Sequence, residues 1–194
     1  MNTWITSDTH YAHKNIVRGV SRWEGGRGTR DIDTLQEMNE KLVENINNCA
    51  KENDTLYHLG DWSFGGVEMI PEFRNKLICK NIHLLLGNHD HHIAVNKNDT
   101  AKLFSSVAHY REIKIAGQQI VMSHYPMTSW NYKFQGGYML SGHCHGNLPK
   151  ELYLGKSMDV GIDTHSEFRP YHIDEINSIM QTRTVDFADK ISNR

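Results

Sequence analysis

An α/β fold, with a mixed β-sheet core and flanking helices, is what this sequence predicts. Three observations carry it. Short apolar runs alternate with helix-length stretches in the first half of the chain, paired runs of period two follow in the second, and five runs end in polar clusters. With 194 residues, 38% of them apolar, and no long apolar stretch, the chain reads as one globular domain over 1–194. A domain of that size buries about 70% of its unfolded surface, and nothing in it is apolar enough to span a membrane.

Residues 2–7 form the first expected strand, with Trp4 and Ile5 in the core, and it leads into Asp8-Thr9-His10. In extended backbone Asp8 and His10 share a face, as two ligands of one ion must. Residues 13–31 hold Arg18, Arg22, Arg27 and Arg30 among the glycines Gly25, Gly26 and Gly28, so a loop is expected. It is either a solvated surface loop or a phosphate clamp, because guanidinium forks match phosphate oxygens. His13, Arg22 and Arg27 are its candidate substrate contacts. The clearest helix spans 33–51, with Asp33 and Gln36 as a capping pair and Leu35, Met38, Leu42, Ile46 and Cys49 as a core stripe.

The run 55–59 delivers Asp61 in Leu59-Gly60-Asp61-Trp62, and a helix is expected over 67–77, with Pro71 near its start. Residues 81–86 read as a strand buried on both faces, ending in Gly87-Asn88-His89-Asp90; a short helix follows near 99–104. A hairpin over 107–115 and 118–123 turns at Ala116-Gly117 and ends at His124. After a loop bearing Trp130, Tyr132 and Phe134, a strand over 138–141 leads to Gly142-His143-Cys144-His145. A strand over 158–162 and a last helix from Asp174 to Met180 complete the chain.

Net charge −2 provides no field for bulk nucleic-acid binding. The cysteines Cys49, Cys79 and Cys144 are isolated, which supports neither a disulfide framework nor a thiolate zinc site. The first polar cluster arrives at Asp8, leaving no space for a secretory signal, so a cytoplasmic protein is expected. Histidine is abundant, at 13 dispersed residues.

Asp8, His10, Asp61, Asn88, His124, His143 and His145 all sit just beyond apolar runs. Nitrogen and oxygen donors without thiolate suit Mn²⁺, Fe, Zn²⁺, Ni²⁺ or Co²⁺. Seven are too many for one tetrahedral ion; shared through Asp61 as a bridge, they serve two divalent ions with positions left open. Two such ions keep excess positive charge over two aspartates, which favours hydroxide and a phosphate substrate. A metal lowers the pKa of bound water from about 15.7 to about 7, on the order of 12 kcal/mol towards a nucleophile. His89, beside Asn88, is the candidate acid for the leaving group. Asp90 is given no part in orienting His89, since adjacent side chains diverge.

The ordered set Asp-x-His, Gly-Asp, Gly-Asn-His-Asp, Ser-His-Tyr-Pro and Gly-His-x-His, over residues 8–145, resembles the calcineurin-like metallophosphoesterase superfamily, in its small stand-alone bacterial and phage-type form. The resemblance implies a four-layer fold of two packed mixed sheets flanked by α-helices. It implies Asp8, His10, Asp61 and His145 on one metal, and Asp61, Asn88, His124 and His143 on the other. It also implies attack on phosphorus by a hydroxide between them, with His89 serving the leaving group. Members similar to Ser/Thr protein phosphatases carry Gly-Asp-x-x-Asp-Arg-Gly; Phe64 and Gly65 stand in the places of that second Asp and the Arg, which argues against protein phosphatase activity.

The expected function is hydrolysis of a small phosphoester, nucleotide-like, with Mn²⁺ as the ion to support it in assay. A nuclease gripping a strand with the arginine loop and Trp130/Tyr132 is the second reading. A non-catalytic scaffold on the same fold is the third.

Overall fold

The computed structural model describes residues 1–18, 30–95 and 99–185. The strands are β1 (Thr3–Thr6), β2 (Thr55–His58), β3 (Asn81–Leu85), β4 (Ser106–Ala108), β5 (Tyr110–Ile115), β6 (Gln118–Ser123), β7 (Tyr138–Ser141), β8 (Ser157–Asp159) and β9 (Tyr171–His172). The α-helices are α1 (Leu35–Cys49), α2 (Met69–Lys76), α3 (His91–Val95) and α4 (Ile173–Gln181). No helix among the described residues is long and apolar enough to cross a membrane.

Two sheets form. The first has the order β4-β3-β2-β1-β9, parallel except for β9; the second has the order β5-β6-β7-β8, with only β5–β6 antiparallel. Period-two alternation sorts the side chains into layers. Leu56, Ile82 and Leu84 face α1 and α2, where they meet Met38, Leu42, Ile46 and Phe73. Ile5 and Leu85 point the other way and pack with Ile120, Met122, Leu140 and Met158 of the second sheet, joined by Ile176 and Met180 of α4. Val121 and Met139 cover the far face of the second sheet together with Trp130 and Met127. The α/β architecture of two mixed sheets with flanking helices is therefore the one expected.

Several local expectations change. The run 107–115 is two strands broken at His109: β4 pairs with β3 in the first sheet and β5 with β6 in the second. No glycine, proline or other turn residue separates the two pieces, so the sequence hides the crossing. Helix α1 is capped by Thr34, whose hydroxyl accepts the Glu37 N–H, while Asp33 lies outside the cap and pairs with Arg18. Thr34 holds the extended conformation a cap needs, φ −126° and ψ 154°. Cys49 is only half-buried, unlike Met38, Leu42 and Ile46. The His172 ring caps α4 by accepting the Asp174 N–H, and Glu175 accepts the His172 N–H in return. Asp174 thus lies in the first turn. Strand β8 ends at Asp159, and Ile162 opens a single 3₁₀ turn. Strand β3 is buried at Ile82, Leu84 and Leu85 and half-buried at Asn81 and His83.

Candidate metal centre

All five ligand clusters follow the carboxyl ends of strands, from β1, β2 and β3 in one sheet and β6 and β7 in the other. Where the two sheets meet, these ends converge. The Asp8 N–H donates to Gly60 O and the His10 N–H to Asp61 O, which ties the first cluster to the second. The His143 N–H reaches across to the Asp8 carboxylate at 2.9 and 3.1 Å, which joins the sheets directly at the site.

Extended backbone is not what puts Asp8 and His10 together. Asp8, His10, Asp61, His143 and His145 all adopt left-handed φ, between 46° and 70°. Nine non-glycine residues do so among those described, and five of them are these candidates. The conformation is sparsely populated, and Asp and His tolerate it better than most residues. Such outliers persist where surrounding contacts over-determine them, and they gather at functional sites.

Asp61 is the centre of the arrangement. Its Oδ1 accepts the His89 N–H at 2.9 Å, leaving Oδ2 at 3.5 Å from both His10 Nε2 and His124 Nε2. On one side His10 Nε2 lies 3.2 Å from His145 Nε2, with Asp8 Oδ1 3.8 Å from the latter. On the other, His124 Nε2 lies 3.1 Å from Asn88 Oδ1, and His143 completes a cluster with Asp61 and His124. Asp8, His10 and His145 form the matching first cluster. Ligands about 2.1 Å from a common ion stand about 3.0–3.4 Å apart in tetrahedral or octahedral geometry, close to these separations.

The donor set fits cations for a second reason. The His124 Nδ1–H donates to Leu59 O at 2.8 Å and the His145 Nδ1–H to Asp163 at 2.7 Å. In the neutral ring each Nε2 is therefore left as a lone pair. Lone pairs and carboxylate oxygens thus face one another in a buried space, which is costly unless a cation lies between them. Burial raises the Asp8 pKa to about 7, reinforced by Asp159 and Asp61 and opposed by His145. Burial also holds His10 well below the usual imidazole value and lowers that of His124. Burial opposes protonation of His145 too, but Asp163 and Asp8 outweigh it, so its pKa is raised. Asp8, His10, Asp61 and His124 form the buried floor, while Asn88 and His143 are exposed at the rim.

Sequence reasoning missed four of the groups that hold this floor. Arg30 is buried, not a solvent-facing clamp: its Nε and Nη2 grip the Asp163 carboxylate at 2.8 and 3.0 Å. It also donates to the backbone oxygens of Asp8 and Thr9. Arg18 is spent on Asp31 and Asp33. Arg22 and Arg27 lie outside the described residues. Asp163 follows an apolar run just as the five clusters do, so the same pattern could have found it. Asp90 accepts three backbone N–H groups, from Gly87, Asp61 and Trp62, at 2.8–2.9 Å. It orders two loops and not the His89 ring, whose ring neighbours are His10 at 5.3 Å and Phe64 at 5.2 Å. His58 is the fourth, beneath Thr9. His13 does reach the cleft of about 390 Å³ that His10, Asp61, Asn88, His89, His143 and His145 line. Trp130, offered for base stacking, is buried with its indole N–H on Gly137 O, whereas Tyr132 is exposed.

The profile of the calcineurin-like phosphoesterase family matches residues 1–190. An uncharacterised protein of Methanocaldococcus jannaschii is 26% identical over 184 residues, covering 92% of this chain and 90% of that protein. The gene 66 protein of Mycobacterium phage L5 is 25% identical over 193 residues, covering 84% of this chain and 86% of its own. Among solved structures, a protein of unknown function from Aquifex aeolicus superposes with a TM-score of 0.64 at 21% identity, over 92% of this chain and 98% of that one. That likeness speaks for the fold alone.

Proposed function

The chain belongs to the calcineurin-like phosphoesterase family, and from that premise we propose that its cleft hydrolyses a small, nucleotide-like phosphoester with two divalent metal ions joined by Asp61. The observation that carries this reading is the single oxygen, Asp61 Oδ2, equidistant at 3.5 Å from His10 Nε2 and His124 Nε2. Asp8, His10, Asp61 and His145 would hold one ion, and Asp61, Asn88, His124 and His143 the other. Bound there, the pair would supply an activated water and positive charge for the phosphoryl oxygens.

The protein's own residues do the rest. Asp163, fixed by Arg30, keeps the His145 ring in the tautomer that offers Nε2. The Leu59 carbonyl does the same for His124. His89 stands on the half-buried edge of the cleft, its backbone anchored on Asp61. From that edge its ring can give a proton to the departing oxygen, worth roughly 10²–10⁴ in rate. The buried Trp130 and the net charge of −2 leave a nucleic-acid strand little to grip, which favours a small substrate over the nuclease reading.

The test is a panel with Mn²⁺, comparing mono- and bis-nitrophenyl phosphate, then nucleotides, cyclic nucleotides and short oligonucleotides. Turnover of the small esters above that of oligonucleotides is the expected result; the reverse order would favour a nuclease, and no turnover with any metal would sink the reading. His89→Ala should retain its metals and lose about 10²–10⁴ on alkyl esters but far less on nitrophenyl esters. A uniform loss across leaving groups would remove the acid role.

A further inference from the structure

Beside the cleft lies a second, smaller pocket of about 270 Å³, and His89 is part of both walls. Phe64, Ile70 and Ile93 give it an apolar lining, and Gly65 and Gly66 leave one wall without side chains. Ile70 and Ile93 are buried, while the Phe64 ring is 37% exposed. That ring is held in place: it stacks on His13 with centroids 3.9 Å apart and planes at 19°, and sits 5.2 Å from His89. A large aromatic side chain fixed by two rings of the cleft, yet open to solvent, is a surface arranged to be covered.

The lining also bears on where the phosphate group sits. No Lys or Arg is among the described residues that form it, and the Asp90 carboxylate is occupied by its three backbone N–H groups. The pocket's other polar side chains are those of Ser63, His89, His91 and His92, so a phosphate group meets no permanently charged cation here and is better served in the cleft. Ligand pockets run roughly 300–1,000 Å³, so this volume takes one flat ring system and not a whole nucleotide.

We propose that this pocket is the subsite for an aromatic group carried by the phosphoester, with Phe64 as its specificity-determining residue. The inference rests on the phosphoesterase reading above. With phosphorus over Asp61, the group whose oxygen His89 serves lies on the His89 side of the cleft, where the pocket begins. Its ring would pack on Phe64 in the offset or edge-on geometry that aromatic pairs prefer, a gain of about 2–10-fold over an aliphatic group of the same size.

Three non-hydrolysable phosphonates test it by calorimetry on the Mn²⁺-loaded protein: benzyl-, cyclohexylmethyl- and methylphosphonate. The benzyl compound should bind about 2–10-fold tighter than the cyclohexylmethyl one, and Phe64→Leu, which keeps apolar bulk, should erase that ratio with the metal content and the methylphosphonate affinity unchanged. Equal binding of the two larger compounds, or a ratio that survives Phe64→Leu, overturns the subsite alone. No binding of any of the three overturns the phosphoesterase reading of the cleft as well. In parallel, KM for phenyl phosphate and for adenosine 5′-monophosphate in the two proteins separates a simple arene from a nucleobase: only the true carrier shows a rise in KM on Phe64→Leu.

Discussion

At the scale of single residues, the division of labour within Asp61 is the informative feature. Oδ1 is committed to the His89 N–H, and Oδ2 faces both histidine-bearing clusters. Asp61→Asn should therefore lower metal content at both positions, whereas Asn88→Ala, at the exposed rim of one cluster, should lower it at one. Metal analysis after gel filtration reads this directly, and equal loss in the two variants would count against a bridge. His58 gives a pH prediction. The Gly60 N–H donates to its Nδ1 and its Nε2–H meets Thr9 Oγ, which itself donates to Trp62 O, so only the neutral ring satisfies every partner. Burial lowers its pKa from 6.5 to about 3. A depressed folded-state value means its contribution is whole above pH 6.5 and drains as pH falls towards 3. Between pH 7 and pH 4 the metal-free protein should lose on the order of 3 kcal/mol through this group. Denaturant titrations of metal-free wild type and His58→Gln should differ by that amount in their acid limb; parallel curves would refute it.

At the scale of elements, what matters is how the loops after β2 and β3 are tied. Gly60, at φ +102°, leaves so little space that a Cβ would sit 2.6 Å from both Gly87 N and His124 Nδ1. The two loops therefore pass in contact, and Asp90 fastens them by accepting N–H groups from both. Hydrogen bonds to a charged acceptor are each worth about 1.5–3 kcal/mol. Asp90→Asn, which trades one acceptor oxygen for a donor facing donors, should destabilise by at least about 2 kcal/mol and weaken metal binding with no ligand removed. Paired denaturation and metal titration would show it; unchanged metal affinity would reduce Asp90 to a structural role. This residue also marks a limit of sequence reading. Its position in Gly-Asn-His-Asp is plain, but its target is the backbone of a segment 28–29 residues away, which no local pattern reports. The helix stripe over α1 was legible because its period of 3.6 is local, and the break at His109 was not because no turn residue marks it and only the pairing partners of the two strands differ.

At the scale of the molecule, the candidate centre is the place where the two sheets are joined. Asp8 belongs to the first sheet's clusters and accepts from His143 of the second, so cations bound there would cross-link the halves of the fold. Removing them leaves a buried carboxylate whose pKa has climbed to about 7 and imidazoles short of partners. An ion at about 1,000 times its Kd contributes about 4 kcal/mol, and a domain of this size shifts by about 2–4 °C per kcal/mol. Chelation should therefore lower Tm by on the order of 10 °C, restored by Mn²⁺. A Tm indifferent to chelator in calorimetry would mean that the clusters do not hold metal in the folded protein.

The sequence by itself determined the α/β class, the order of the clusters and the kind of donors they offer. Periodicity is a property of neighbouring residues, and phosphoester chemistry with metals asks for particular side-chain types, which a sequence displays openly. Only the tertiary structure decided how those donors are aimed. Five of them turn through left-handed backbone in place of lying along a strand. Arg30 reaches Asp163 over 133 positions, and His143 reaches Asp8 over 135. Strained conformations and distant partners exist only when the packed sheets bring their ends together, so no stretch of chain read alone could contain them.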